Sequence, residues 1–340
     1  MAPRPEEAAH DAWWRVDDIA AVAAVRRAAS AAATALGFDE SRVAEVGIVA
    51  SELATNLVRH AVGGELVLRS SAPRDTTPEL RLLAVDSGPG RRNIQAMIAD
   101  GASSIGTLGI GLGACARIAN HFDAYSVPGI GTVVELLVRA SADDPVERPR
   151  VASLTRPLTN ESPCGDTASY VVVGDRSLLM LADGLGHGTL AARASRRAAE
   201  VLNENATLPP STILDLMHRA LAGTRGAAVS LLRHDADRGE LTHAGVGNVA
   251  TRLLGGATSH TLPSQPGIVG HRMPRVRETT TPVGDLRAAV MHSDGMSQRW
   301  ELHELEGVLG HTPGTLCAAL MRMAASGRDD ASVVAIGLDA

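Results

Sequence analysis

Apolar residues recur every three to four positions over residues 18–36 and again over 40–62, the spacing of two amphipathic helices. The stretches ELVLRSSA and ELRLLAVD alternate apolar and polar positions, which predicts two strands. A helical stretch near 91–100 follows, then a glycine-rich loop, a helix around 112–121 and a closing strand, GTVVELLVRA. Later the pattern changes to many short apolar runs: SYVVVGD, SLLMLAD, AAVSLLRHD, ELTHAGVG, VATRLLGG, RAAVMHSDG and ASVVAIGLD. Helical periodicity interrupts them over roughly 188–204 and 211–222. Strands in runs with helices in blocks predict an α+β layered architecture.

The two patterns meet at RASADDPVERPRVAS, residues 139–153, which has two prolines, several charges and no long apolar run. We read domains at 1–140 and 153–340 with a linker at 141–152, a division that suits a chain of 340 residues. Hydrophobic residues make up 45% and charged residues 21%, enough for two buried cores and unlike a disordered chain. The net charge of −6 offers no basic field, and aromatics at 2% offer no stacking platform, so a nucleic-acid partner is not expected. The most apolar early segment, Ile19 to Leu36, is broken by Arg26 and Arg27, and no membrane span is expected. Cys115, Cys164 and Cys317 lie far apart with no zinc-type spacing, which points to a reducing compartment. The acidic N-terminus lacks the apolar core of a signal peptide, so a cytoplasmic location is expected. Residues 1–15, with the adjacent Trp13 and Trp14, read either as a docking arm or, the preferred reading, as packing onto the first helix.

Four features of the first half carry chemistry. Glu52, Asn56 and His60 recur at i, i+4 and i+8 and share one helix face. A carboxylate beside an amide suits a general base next to a magnesium ligand, and equally a solvated polar stripe. In LLAVDSGPG, Asp86 ends an apolar strand, with Gly88 and Gly90 letting the backbone turn near a ligand. Such a buried carboxylate accepts a hydrogen bond from an exocyclic amine of the kind adenine offers, or is an ordinary strand-end aspartate. Gly106, Gly109, Gly111 and Gly113 form a loop feeding a helix N-terminus, where free N–H groups favour phosphate. GIGTVVELLV then returns a strand through Gly131 and Thr132.

In this order the four features resemble the GHKL (Bergerat) nucleotide-binding fold of histidine kinases, gyrase and Hsp90, an α/β two-layer sandwich. Over residues 15–140 they resemble more closely the anti-sigma and switch serine kinases of bacterial stress signalling, and DGASSIGTLGIGLGACARIANHFDAYS is similar to the RsbT-type branch. The resemblance implies Glu52 as the base that activates a protein serine and Asn56 as a ligand of the magnesium of Mg·ATP. It implies Asp86 as the adenine reader with Gly88, Gly90 and Thr132 beside it, and the loop from Gly106 through Gly109 and Gly111 to Gly113 as the phosphate lid. His60 has a structural or a functional reading.

The second half places acids at strand termini: Asp166 in CGDTASYVVV, Asp183 in LMLADGLGHG, Asp294 in AAVMHSDGMS, and Asp329 with Asp330 in GRDDASVVAIGL. Hard oxygen ligands without Cys or His pairs suit Mg²⁺ or Mn²⁺. Glycine after Asp183 is expected to let the Gly184 carbonyl and metal-bound waters approach. The order resembles the PP2C (PPM) phosphatases of α-β-β-α sandwich fold, within them the SpoIIE and RsbX type, over about 155–340. The resemblance implies two Mn²⁺ or Mg²⁺ ions bridged by Asp183, with Asp294 and Asp329 completing one site, Asp166 and the Gly184 carbonyl the other, and Asp330 standing behind them. His187 either donates a proton to the leaving serine oxygen or stabilises the turn. No arginine matches the phosphate-binding arginine of the eukaryotic members.

Together the resemblances imply a regulator of a partner-switching pathway, an ATP-dependent serine kinase joined to a phosphoserine/phosphothreonine phosphatase. The expected partner is a STAS-domain antagonist protein, with a sigma factor or a stressosome component further along. The alternative is a phosphatase whose ATP-binding half holds a partner without phosphorylating it.

Overall fold

The computed structural model describes residues 11–71, 77–94, 98, 111–144, 146, 148–158, 163–255 and 258–338. The chain divides into two compact units. The first takes the described residues up to 149 together with Leu305–Arg322. The second takes 150–304 and the residues from 323 onward.

In the first unit, helices α1 (Ile19–Ala35) and α2 (Glu40–His60) begin at Asp18 and Asp39, whose carboxylates accept from Ala21 N and Arg42 N, an N-terminal cap in each case. The buried residues of α1 (Val25, Ala29, Ala33) and of α2 (Val46, Val49, Ala50, Leu53, Leu57) fall at helical spacing. They meet Leu66, Leu68, Leu80, Leu82, Leu136 and Val138, alternate residues of the sheet, in one core. That sheet is antiparallel in the order β1-β2-β3-β5-β4. Its strands are β1 (Ala12–Arg15), β2 (Glu65–Ser71), β3 (Glu79–Asp86), β4 (His121–Val127) and β5 (Gly131–Arg139). Helix α3 (Gly111–Ile118) ends sooner than the sequence suggests, because β4 starts at His121. Trp13 and Trp14 lie in edge strand β1 opposite Val67 and Leu66, and Trp14 packs against the core that α1 lines with Val25, Ala29 and Ala33.

Leu305–Arg322 joins this unit through a polar cluster. Asp123 of β4 accepts from His311 Nδ1 (2.8 Å), Thr312 N (2.9 Å) and Thr315 Oγ1 (2.8 Å). Helix α6 (Pro313–Ala324), which starts there, is absent from the sequence reading. Its apolar residues run round most of its circumference, so no amphipathic stripe announces it.

The second unit has two five-stranded sheets, both antiparallel. One is ordered β13-β10-β9-β8-β7, the other β12-β11-β14-β15-β6. The first contains β7 (Asp166–Val173), β8 (Arg176–Gly184), β9 (Ala227–Asp235), β10 (Glu240–Val246) and β13 (Thr279–Pro282). The second contains β6 (Val151–Arg156), β11 (Ala250–Gly255), β12 (Thr258–Leu262), β14 (Ala288–His292) and β15 (Ala331–Gly337). Strand β6 starts at Val151, so the last two residues of the expected linker are already paired with β15. Strand β8 shows why SLLMLAD reads as an unbroken apolar run. Leu179 and Leu181 face the space between the sheets with Leu232, Leu253, Met291 and Val334. Met180 and Ala182 face helices α4 (Thr189–Asn205) and α5 (Pro210–Ala220) through Ala198, Leu202, Ile213 and Leu214. A strand buried on both faces loses its alternation. Among the described residues no helix is long and apolar enough to cross a membrane.

Candidate active sites

Helix α2 presents Glu52, Asn56 and His60 away from the face that buries Leu53, Ala54 and Leu57. Glu52 and Asn56 are half-buried and His60 is exposed. At the start of α3 the Gly111 N–H donates to Glu52 Oε1 at 3.2 Å, which brings the end of the glycine-rich loop to the candidate base. Gly113 is buried in α3, while Gly106 and Gly109 lie outside the described residues.

Asp86 ends β3 directly opposite Thr132 of β5. Its carboxylate accepts from Gly88 N at 2.6 Å, and Thr132 Oγ1 is 2.9 Å from Ser126 Oγ. Burial pushes the Asp86 carboxyl above the usual range, and the Gly88 N–H, the Arg322 guanidinium and the Thr132 backbone partly offset it. Gly131, at φ 135°, has no room for a side chain, since a Cβ there would overlap the Asp86 carbonyl. Likewise a Cβ on Gly90, at φ 62°, would overlap the Val127 carbonyl. These glycines fix the backbone around Asp86. Arg322, which the sequence did not single out, donates to the Ile130 carbonyl beside it.

The acids of the second unit meet through strand pairing. In β7–β8, Asp166 stands directly opposite Asp183. Like charges in that position are destabilising. Burial, then the negative charge of its neighbours Asp166, Asp294 and Asp329, holds the Asp183 carboxyl far above its ordinary range, and burial chiefly raises Asp166 as well. Asp183 lies within electrostatic reach of both Asp166 and Asp294, and Asp294 accepts from Asn248 Nδ2 at 2.6 Å. Asp329 lies exposed within electrostatic reach. Asp330 faces elsewhere and straps the neighbouring backbone, accepting from Leu158 N and Gly165 N at 2.6 Å each.

Asp166 Oδ2 is buried without a hydrogen-bond partner among the described residues. An orphaned buried oxygen beside three more carboxylates fits a hard divalent cation, which would both satisfy it and relieve the repulsion. As the side chains stand, no three His, Cys, Asp or Glu groups among the described residues are close enough to hold an ion. The structure therefore brings the expected ligands together in pairs, and a cation would have to draw them the rest of the way.

Gly184 is glycine for a reason the sequence did not show. A Cβ there would overlap the Ala191 carbonyl of α4 and lie 2.9 Å from the Gly165 carbonyl. The residue lets the first turn of α4 close against the end of β8. His187 is exposed on the loop between them. Asn248 was also missed, because nothing in its local sequence links it to Asp294.

Comparison with known proteins finds one family in each half of the chain, although the second match runs through Leu305–Arg322, which packs with the first unit. The histidine kinase-like ATPase domain family matches residues 16–138, and the stage II sporulation protein E (SpoIIE) family matches residues 174–339. The serine/threonine-protein kinase RsbT of Bacillus subtilis is 33% identical over 116 residues, 34% of this chain and 86% of that one. The phosphoserine phosphatase RsbX of the same organism is 26% identical over 156 residues, 44% of this chain and 77% of that one. The crystal structure of RsbX in complex with magnesium superposes with a TM-score of 0.51 at 21% identity, covering 57% of this chain and 98% of that one, a likeness of fold. Fold and relatives agree: in its N-terminal half the chain belongs to the RsbT family of GHKL-fold serine kinases, and it carries this domain fused to a SpoIIE domain of PP2C-like fold.

Proposed function

We propose that this chain sets the phosphorylation level of one partner protein, the first domain adding phosphate to a serine and the second removing it. The observation that carries the reading is the cross-strand pair Asp166–Asp183, a buried and a half-buried carboxylate with an orphaned oxygen and two further acids at hand. Divalent ions held there would neutralise the phosphate of a phosphoserine and make water a nucleophile near neutral pH. Asp166, Asp183, Asp294, Asp329 and the Gly184 carbonyl are the residues proposed to hold two Mn²⁺ or Mg²⁺ ions. Magnesium in the RsbX crystal structure supports this choice.

In the first domain Glu52 would accept the proton of the attacking serine hydroxyl, and Asn56, one turn further on, would hold the Mg²⁺ that accompanies ATP. Asp86 would take the amino group of adenine with Thr132 beside it, and Gly111 and Gly113, in the first turn of α3, would offer backbone N–H groups to the phosphates. Positioning and charge neutralisation are most of what phosphoryl transfer requires. The partner we assign is a STAS-domain antagonist of the kind that links RsbT-like kinases to RsbX-like phosphatases, in the cytoplasm.

The test incubates the full chain with such a STAS protein and follows its phosphorylation by intact-protein mass spectrometry. Mg·ATP should add one phosphate of about 80 Da, and Mn²⁺ after ATP removal should take it off. A STAS protein of unchanged mass under both conditions contradicts the assignment.

A further inference from the structure

The acid cluster at the end of β8 needs a counterpart for the substrate's phosphate, and no sequence motif supplies one. We propose that Arg225 is the phosphate-binding residue of the second domain, taking the phosphate oxygens of a phosphoserine or phosphothreonine side chain. The inference rests on the phosphatase reading above.

Arg225 lies just before β9, in the turn that follows α5. The turn is pinned on both sides of it. Thr224 Oγ1 donates to the Leu221 carbonyl at 2.7 Å and accepts from Gly226 N at 3.0 Å. Leu185 N donates to the Gly226 carbonyl at 3.1 Å, which ties the turn to the loop that leaves Asp183. Register places it further: Asp183 and Gly184 stand opposite Ala228 and Ala227, so Arg225 emerges beside the glycine loop two residues past the strand end.

The guanidinium lies over Gly186. A Cβ built there would stand 2.9 Å from Arg225 Nη1, so the missing side chain, at φ 80°, leaves the arginine its place. Arg225 is exposed and has neither a hydrogen bond nor an ion pair among the described residues. An arginine on a hydrogen-bonded turn next to the loop that leaves Asp183, unpaired among the described residues, keeps its fork of donors for an incoming anion. Bidentate recognition of a phosphate is what that planar fork suits. It approaches from β9, a part of the chain unconnected with the acid motifs, and so escapes a search by motif.

The test measures p-nitrophenyl phosphate hydrolysis at saturating Mn²⁺ for wild type, Arg225→Ala and Arg225→Lys, with inhibition by inorganic phosphate and Mn²⁺ affinity measured in parallel. For Arg225→Ala the KM and the phosphate inhibition constant should each rise about tenfold or more, as expected for losing a charged hydrogen-bond pair. The value of kcat should fall less, Arg225→Lys should recover part of the loss, and Mn²⁺ affinity should not change. Wild-type turnover combined with KM and inhibition constants within twofold in Arg225→Ala overturns the role of Arg225 alone. Absence of Mn²⁺-dependent turnover in wild type overturns the phosphatase reading, and this role with it.

Discussion

Asp86 and Asp183 sit in nearly the same local sequence. LLAVDSGPG and LMLADGLG each run an apolar strand into an aspartate and then into glycine. In both places burial raises the carboxyl above its usual range. They differ in what stands across the strand pair. Opposite Asp86 is Thr132, and backbone N–H groups with the Arg322 guanidinium offset the burial. Opposite Asp183 is Asp166, and the neighbouring acids add to the burial. The strand-end motif thus specifies only a half-buried carboxylate. On the proposed reading its cross-strand neighbour decides what it would hold, a neutral hydrogen-bond donor in the first case and a cation in the second.

The comparison breaks most visibly at the acid pair. Asp183→Asn should lower Mn²⁺-dependent hydrolysis of an aryl phosphate by about 10³-fold or more, since a residue proposed to touch both ions is lost. The same change should raise the melting temperature in chelator by about 2–4 °C, corresponding to about 1 kcal/mol of relieved repulsion. Next in size, Glu52→Ala should slow phosphate transfer to the partner by about 10²–10³-fold, the scale of a general base, with ATP affinity nearly unchanged in equilibrium binding. Binding retained without transfer separates a base from a scaffold.

Asp86→Asn sharpens the other side of the comparison. It keeps the shape but turns an acceptor oxygen into a donor, and should weaken ATP binding by about 10–100-fold in calorimetry. Phosphatase turnover should not move. The smallest effect concerns Asp123. Burial alone would raise its carboxyl, but hydrogen bonds from His311, Thr312 and Thr315 outweigh it and hold the group well below the usual carboxylate range. A depressed folded-state pKa contributes stability above the unfolded value of about 3.9, and that contribution is lost as pH falls through the folded value. Asp123→Ala should therefore cost about 1–2 kcal/mol at pH 7 in denaturant unfolding. The gap from wild type should narrow once the pH drops below about 3.9.

What the sequence made legible is what local rules decide. The strand-end acids, the i, i+4 pair Glu52 and Asn56, and most strand runs follow from periodicity and turn chemistry. Register is a non-local quantity, so the Asp166–Asp183 opposition could not be read from two segments that each look ordinary. Strand β1 escaped because four residues with adjacent tryptophans show no alternation. Helix α6 escaped because its residues are apolar nearly all round, and with it went the Asp123 cluster and Arg322. Asn248 became visible only when folding brought it to Asp294, and Arg225 only when pairing brought the turn before β9 to the loop after Asp183.

The most direct test of the cross-strand rule is Mn²⁺ binding, followed by electron paramagnetic resonance, to the wild-type chain, Asp183→Asn and Asp86→Asn, without nucleotide. Wild type and Asp86→Asn should bind alike and Asp183→Asn should lose most of the binding. Full Mn²⁺ binding by Asp183→Asn would contradict the assignment of the strand-end acids as the metal centre.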